Sequence, residues 1–462
     1  MKGYLTVFLA MSLSILTGFI LMLIGGVIKN AGKVRLECAL DTSMNAVLSE
    51  YNITLFERYG LLYIDASYLG RKPAISNVEE RLNFYLEENT EGALGGKNTP
   101  WGKLWIDHVT VSSFETAAAD MGTSMRNQAV CYVEDTGISG EERDAFTQME
   151  EIKTLDQGNP MQEWSELMEQ LAGMELPLVL NEKGIWEEVP LSNPADWVFE
   201  LSGSDILYLS GIELQDINPA HISLENYISH RQIINANAYE RKERKEPETF
   251  ITYLFNRMSY LGNVKEGSLL TCQLEYLVMG KDSDLENSIF VAERLMKWRF
   301  AENLSRALTD GDLRTQAIAA AEELQAVQMK DAFREPVVES ILYACAFLES
   351  IGDIKTIYSG GKIPVRKMEH QMAVDHVLKG NIYKTDDRDG LNFGQYLACM
   401  LLLTEEKTLN LRAMDIMEMD IRYKDGNENF ALDWCIERYE VTVKAKAGPG
   451  ITYFLRRKYG YF

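Results

Sequence analysis

Histidine and cysteine are sparse in this chain, and neither is spaced for chemistry. The five histidines are His108, His221, His230, His370 and His376. His370 and His376 stand six apart, which does not put both on one helical face. No His-Glu-x-x-His occurs, so the common zinc-hydrolase motif is missing. The six cysteines (Cys38, Cys131, Cys272, Cys345, Cys399 and Cys435) form no Cys-x-x-Cys pair, which excludes a thioredoxin-type redox motif. No Gly-x-Ser-x-Gly elbow is present either. Basic charge is also short: 46 Lys and Arg face 69 Asp and Glu, a net charge of −23. Such a chain is repelled by DNA and RNA, and nucleic acid is excluded as a partner. There is no internal repeat and no low-complexity tail. No catalytic, metal-ligating or cofactor-binding residue is assigned, and no cofactor is expected.

Three weak hints have plainer explanations. In TDDRDG, Asp387, Asp389 and Gly390 fall in phase with a calcium loop. Its first position is Thr385 and its bidentate acid position is Tyr396, so a polar turn fits better. SGGK (359–362) lacks the first Gly and the final Ser/Thr of a phosphate loop, and reads as a flexible turn. KDSD (281–284) reads as a helix N-cap supplied by Ser283 or Asp284.

What is present is a long apolar run. From Tyr4 to Ile28 there is no charged residue. As a helix it rises roughly 37 Å at ~1.5 Å per residue, against about 30 Å of hydrocarbon. A cleavable secretion signal has a shorter apolar centre and a small-x-small site. Here Gly25-Gly26 is the one small cluster near the end, so a retained anchor is favoured over cleavage. Lys29, Lys33 and Arg35 follow the run and Lys2 precedes it. Counted simply, they put the body in the cytoplasm, but long domains translocate largely regardless of charge. Residues 1–37 carry a net +3, leaving about −26 for the rest.

No proline occurs before Pro73, so the helix is expected to continue past the bilayer as an amphipathic stalk and to stop near Tyr59-Gly60. Leu36, Leu40, Met44, Val47, Tyr51 and Leu55 recur at three- and four-residue spacing. The stripe packs either on the protein's own domain or against stalks of other subunits. Leu36, Leu40, Met44, Val47 and Tyr51 are therefore the candidate interaction residues. Cys38 lies on the same stalk, where parallel copies would bring it close to itself. The remaining cysteines read mostly as free thiols.

The expected fold is α-rich α+β. It comprises an anchor (1–28), a stalk helix (29–65), a mixed region (66–245) and a mainly helical region (246–462) ending in a β-hairpin. Gly92–Gly102 reads as a loop. IDHVTVSSFETA alternates imperfectly and reads as a strand. Helical spacing runs through 141–171, broken at Gly158-Asn159-Pro160, and an irregular stretch follows around Pro177, Pro190 and Pro194. ERKERKEPE (240–248) reads as a solvated linker or helix face. Further helices follow Asp282/Asp284 and Asp310/Asp312, and another has Pro336 in its first turn. Tyr396–Leu403 is apolar but too short to span, so it reads as a buried helix. The end alternates on both sides of Gly448-Pro449-Gly450, which predicts the hairpin.

The order Lys2, Gly3, apolar run, then Arg35, Ala39 and Asp41 resembles the minor pilins of the Flp-type tight-adherence pilus, the TadE/TadG-like proteins. SEYNITLFERYGLLYID, LEYLVMGKDSDLEN (274–287), YSGGKIPVRK (358–367) and LNLRAMDIMEMDIR (409–422) are similar to a family of uncharacterised clostridial membrane proteins, of the domain-of-unknown-function 5702 type. The resemblance implies an extracytoplasmic, membrane-tethered accessory protein of a pilus or secretion apparatus. Its implied partners are the lipid bilayer, pilin-like or pilus-assembly proteins, and its own copies. It also implies a leader cut between Gly3 and Tyr4, with a Glu five residues beyond Gly3. That position is Phe8, and the run holds no acid, which favours an uncut anchor. The other function class is a cell-surface enzyme or ligand-binding domain. It would need convergent polar residues in a pocket.

Overall fold

The computed structural model of the chain describes residues 2–68, 70–91, 104–175, 178–180, 183–188, 193–212, 217–232, 234, 246–323, 331–386, 389–447 and 450–461. The expectations for Gly92–Gly102, Pro177, Pro190, Asp387, residues 240–245 and Gly448-Pro449 lie outside them. The architecture is α-rich α+β, as the periodicities predict. Contacts divide the chain into two units.

The first unit takes residues 1–135, 225–245 and 413–462. It is built on the helix Lys2–Leu48 and a small antiparallel sheet. The central strand, Cys435–Ala447, pairs with Leu104–Thr116, with the C-terminal strand Thr452–Gly460 and with the short Ile64–Asp65. Tyr439, Val441, Val443 and Ala445 alternate onto the buried face, in one core with residues of the N-terminal helix and of the helix Ile75–Glu91. The hairpin predicted at the C-terminus is this Cys435–Ala447/Thr452–Gly460 pair. The strand Leu104–Thr116 alternates imperfectly because its register slips between Ile106 and His108, and again between Val111 and Ser113. Each such irregularity turns the side-chain order over.

The stalk differs from expectation in one respect. The helix ends at Leu48, not at Tyr59, and a second helix, Ile53–Tyr59, starts afresh. The Asn52 side chain accepts from Leu55 N–H at 2.9 Å and caps the new start. At Gly60 the backbone is left-handed (φ +70°), the conformation that costs glycine least, and this ends the helix where predicted.

The second unit takes residues 136–224 and 246–412 and is almost wholly helical. Its centre is the packed pair Asp284–Thr309 and Asp331–Tyr358. Trp164, Phe300, Tyr343 and Phe347 fill the space beside them as an aromatic cluster, Trp164 being 5.8 Å from Phe300 and 5.5 Å from Phe347 between ring centroids, and Phe300 5.4 Å from Phe347 and 6.3 Å from Tyr343. The break at Gly158-Asn159-Pro160 separates the helices Met149–Gln157 and Pro160–Ala172. Phe393–Leu403 is the expected buried helix, opened by a reciprocal Asn392/Gln395 cap. Pro336 does not sit in a first turn. It lies inside the helix Asp331–Tyr358, which begins five residues earlier.

Candidate functional site

The helix Lys2–Leu48 changes character along its length. Its first part is bare: Tyr4 is 89% exposed and Phe8, Phe19 and Met22 are open as well. The most apolar window has a mean hydropathy of 2.5 and buries nothing. This is one helix long and apolar enough to cross a membrane, compatible with a single-pass anchor. Gly3 and Tyr4 lie in its first turn.

From Leu36 onward the same helix enters the core. Leu36, Leu40, Met44 and Val47 are fully buried among residues of their own unit. The stripe therefore packs at home and offers no face to other subunits, because strands contributed by distant parts of the sequence cover it. Tyr51 is half-buried and meets Phe56 edge-on at 5.3 Å. Arg35, Ala39 and Asp41 at the stalk base serve the same attachment. Arg35 donates to Thr90 O, Ala39 is buried, and Asp41 lies 3.6 Å from Arg457.

The opposite face of the helix is the one left open. Val27, Ala31, Val34 and Cys38 line a groove of about 680 Å³ with Thr42 and Asn89. Their spacing of four, three and four keeps them on one side. A second cavity, of about 420 Å³ in the helical unit, is lined by Met161, Met296, Phe300 and Phe347, with Glu293 exposed beside them.

The weak chemical hints resolve as local structure. SGGK follows the C-terminus of Asp331–Tyr358, where Gly360 (φ +88°) and Gly361 donate to Ile357 O and Thr356 O. Phosphate loops need a helix N-terminus instead. Tyr396 is buried and donates to Ile363 O at 3.1 Å, so it is no calcium ligand. Ser283 caps Asp284–Thr309 by accepting from Glu286 N–H. Asp284 accepts from Thr271 and Cys272. The histidines have separate partners: His370 meets Asp310 at 2.8 Å, and His376 stacks with Tyr383. His221, Asp282 and Glu286 do gather, with ligand atoms within 4.8 Å of one another. They stand at the start of a 26-residue helix, whose positive end favours carboxylates and opposes a cation. The hydrogen bond to the Asp282 carboxylate, with its negative charge, raises the His221 pKa.

Charged clusters that sequence reasoning missed lie buried in both units. In the helical unit Arg299 meets Asp353 at 3.0 Å, and Lys367 bridges Asp353 and Glu349. Arg299 and Lys367 are 0% and 1% exposed. Arg299 also donates to the carbonyls of Pro364 and Val365, and Arg412 to those of Leu277 and Val278. In the first unit Arg58 and the Tyr59 hydroxyl share Asp420, at 2.8 and 2.6 Å, while Arg231 joins Glu418 and Asp433. Arg422 reaches Glu418 at 2.9 Å. Burial lifts Glu418 to about 7 against the pull of Arg231 and Arg422. Glu275 has one carboxylate oxygen bonded to Leu261 N–H, and burial lifts it to about 8. The signal was available in strings such as KWRFAEN and MDIMEMDIR, where charge interrupts an apolar helical face. Cys345 and Cys399 are buried free thiols, both pushed up to about 12 by desolvation, and Cys38 is exposed.

Of these charges Arg58, Glu275, Lys367, Arg412, Glu418, Asp420 and Arg422 fall in the strings that carried the family resemblance, while Arg231, Arg299, Glu349, Asp353 and Asp433 lie outside them. A family described as "Family of unknown function (DUF5702)" matches residues 184–447, more than half of the chain. The chain belongs to this family. The DUF5702 match covers 274–287, 358–367 and 409–422, and leaves the anchor helix outside it. No curated protein and no solved structure matches the chain.

Proposed function

We propose that the chain is a membrane-tethered, extracytoplasmic accessory protein, minor-pilin-like, of a tight-adherence pilus or secretion apparatus. It acts through protein–protein contacts. The observation that carries this reading is the continuity of Lys2–Leu48. One helix leaves the bilayer, enters a folded core on one side and keeps Val27, Ala31, Val34 and Cys38 exposed on the other. Small residues such as Ala31 let a neighbouring anchor helix approach closely. The likeness of Lys2, Gly3, Arg35, Ala39 and Asp41 to TadE/TadG-like proteins supports the choice of apparatus. Phe8, standing where the filament subunits carry an acid, supports an uncut anchor over a filament subunit.

Two experiments test it. A C-terminal tag should be cleaved by protease added to intact cells. Protection until the cells are lysed would place the body in the cytosol and overturn the reading. A photocrosslinker at Val34 should recover pilin-like anchor proteins, whereas recovery of none would remove the apparatus from the proposal.

A further inference from the structure

Three hydrogen bonds tie the sheet of the first unit to the N-terminal helix. Tyr453 donates to Lys29 O at 2.9 Å, Tyr439 to Met44 O at 2.9 Å, and Tyr461 to Leu48 O. Lys29 to Leu48 rises about 28 Å along a helix, and Tyr453 to Tyr461 about 27 Å along a strand. The C-terminal strand thus runs beside the helix and away from the bilayer. Its first residues stand level with Lys29, the first charge beyond the apolar run. The polar headgroup layer adds about 5–8 Å on each side of the hydrocarbon, so the near end of the sheet falls at its height.

The residues there suit that layer. On the face turned away from the helix, Trp105, Lys446 and Thr452 form one cross-strand row, and His108, Lys444 and Phe454 form the next. Phe454 is 70% exposed and Trp105 47%. Lys444 stands 5.9 Å over the Phe454 ring, and both lysines bracket Asp107 at 3.0 and 3.1 Å. With Lys29 and Lys33, this end of the unit is cationic on a chain whose net charge is −23. Aromatic rings with adjacent lysines are what a membrane–water boundary favours, and anionic headgroups attract nearby lysines.

We infer that the edge formed by Trp105, Phe454, Lys444 and Lys446 rests on the anionic phospholipid headgroups around the anchor. The inference depends on the spanning helix of the proposed function. It adds a second foothold that holds the sheet against the bilayer instead of letting it swing.

The test uses the full chain in nanodiscs, with Cys38→Ser and a fluorophore on a single new cysteine. Phe454→Cys is compared with Lys458→Cys, about 13 Å further along the strand. A headgroup-positioned nitroxide lipid should quench the label at 454 at least twice as strongly as at 458. Iodide should reach 454 several-fold less in anionic than in zwitterionic discs. Adding Lys444→Gln and Lys446→Gln should abolish that difference. Equal lipid quenching at 454 and 458 would overturn the inference. So would shielding from iodide that is the same in anionic discs, zwitterionic discs and detergent, since a protein partner or second copy would then cover the site. A label at Phe19→Cys separates the two ideas. If mid-chain nitroxide lipid fails to quench it, the spanning helix itself is wrong; if it is quenched while 454 is not, the sheet contact alone fails.

Discussion

Lys367 and Arg299 show why charge was hard to read here. Both are buried in the helical unit, held by Asp353 and Glu349. Removing one member of a buried pair strands the other and costs about 3–5 kcal/mol, whereas replacing both with apolar groups is often neutral. Lys367→Met should therefore strongly destabilise the helical unit, and Lys367→Met with Glu349→Met should recover part of the loss. Hydrogen exchange in Asp331–Tyr358 against urea would measure both. Glu275 offers a pH test. Its folded pKa of about 8 lies above the ordinary 4.5, so the folded state keeps a proton that the unfolded chain releases. The associated stability is full below about 4.5 and is lost as pH rises through about 8. Glu275→Gln should flatten that slope between pH 5 and 8, because the amide oxygen can still accept from Leu261 N–H. An unchanged slope in thermal unfolding would assign the pH dependence to other groups, Glu418 first.

The anchor helix carries two kinds of glycine. A Cβ on Gly32 would stand 2.5 Å from the Tyr453 hydroxyl, which bonds Lys29 O; on Gly18 or Gly25 it would meet nothing within 4 Å. Gly32→Ala should loosen the C-terminal strand from the helix and speed amide exchange in Thr452–Gly460, while Gly25→Ala leaves exchange there unchanged. Leu40 sits deeper in the same attachment. Leu40→Lys places a charge in a fully buried site and should unfold the first unit, by well over the ~1 kcal/mol typical of point changes. A loss of partner binding by that variant would follow from lost structure, and the exposed Val34 is the informative position for contacts. The helix was legible as a helix because its apolar spacing is local. Which face would be buried was not, because the strands that cover it come from residues 104–116 and 435–460.

The whole chain joins an exposed apolar N-terminal helix to an acidic body. Among the described residues, none before Leu36 belongs to the core. A chain starting at residue 28 should fold as the full one does and leave the membrane fraction, whereas one starting at residue 49 should lose the first unit along with Leu36, Leu40, Met44 and Val47. Circular dichroism and limited proteolysis of the two truncations would distinguish these outcomes. The same contrast sorts the foregoing expectations. The apolar anchor, the α-rich class, the terminal hairpin, the Gly60 stop and the Ser283 cap follow from neighbours within a few residues, so composition and spacing were enough to find them. The inward stripe, the paired buried charges and the aromatic–lysine edge of the sheet depend on segments distant in the sequence meeting in space, and spacing along one chain carries no record of which segments those are.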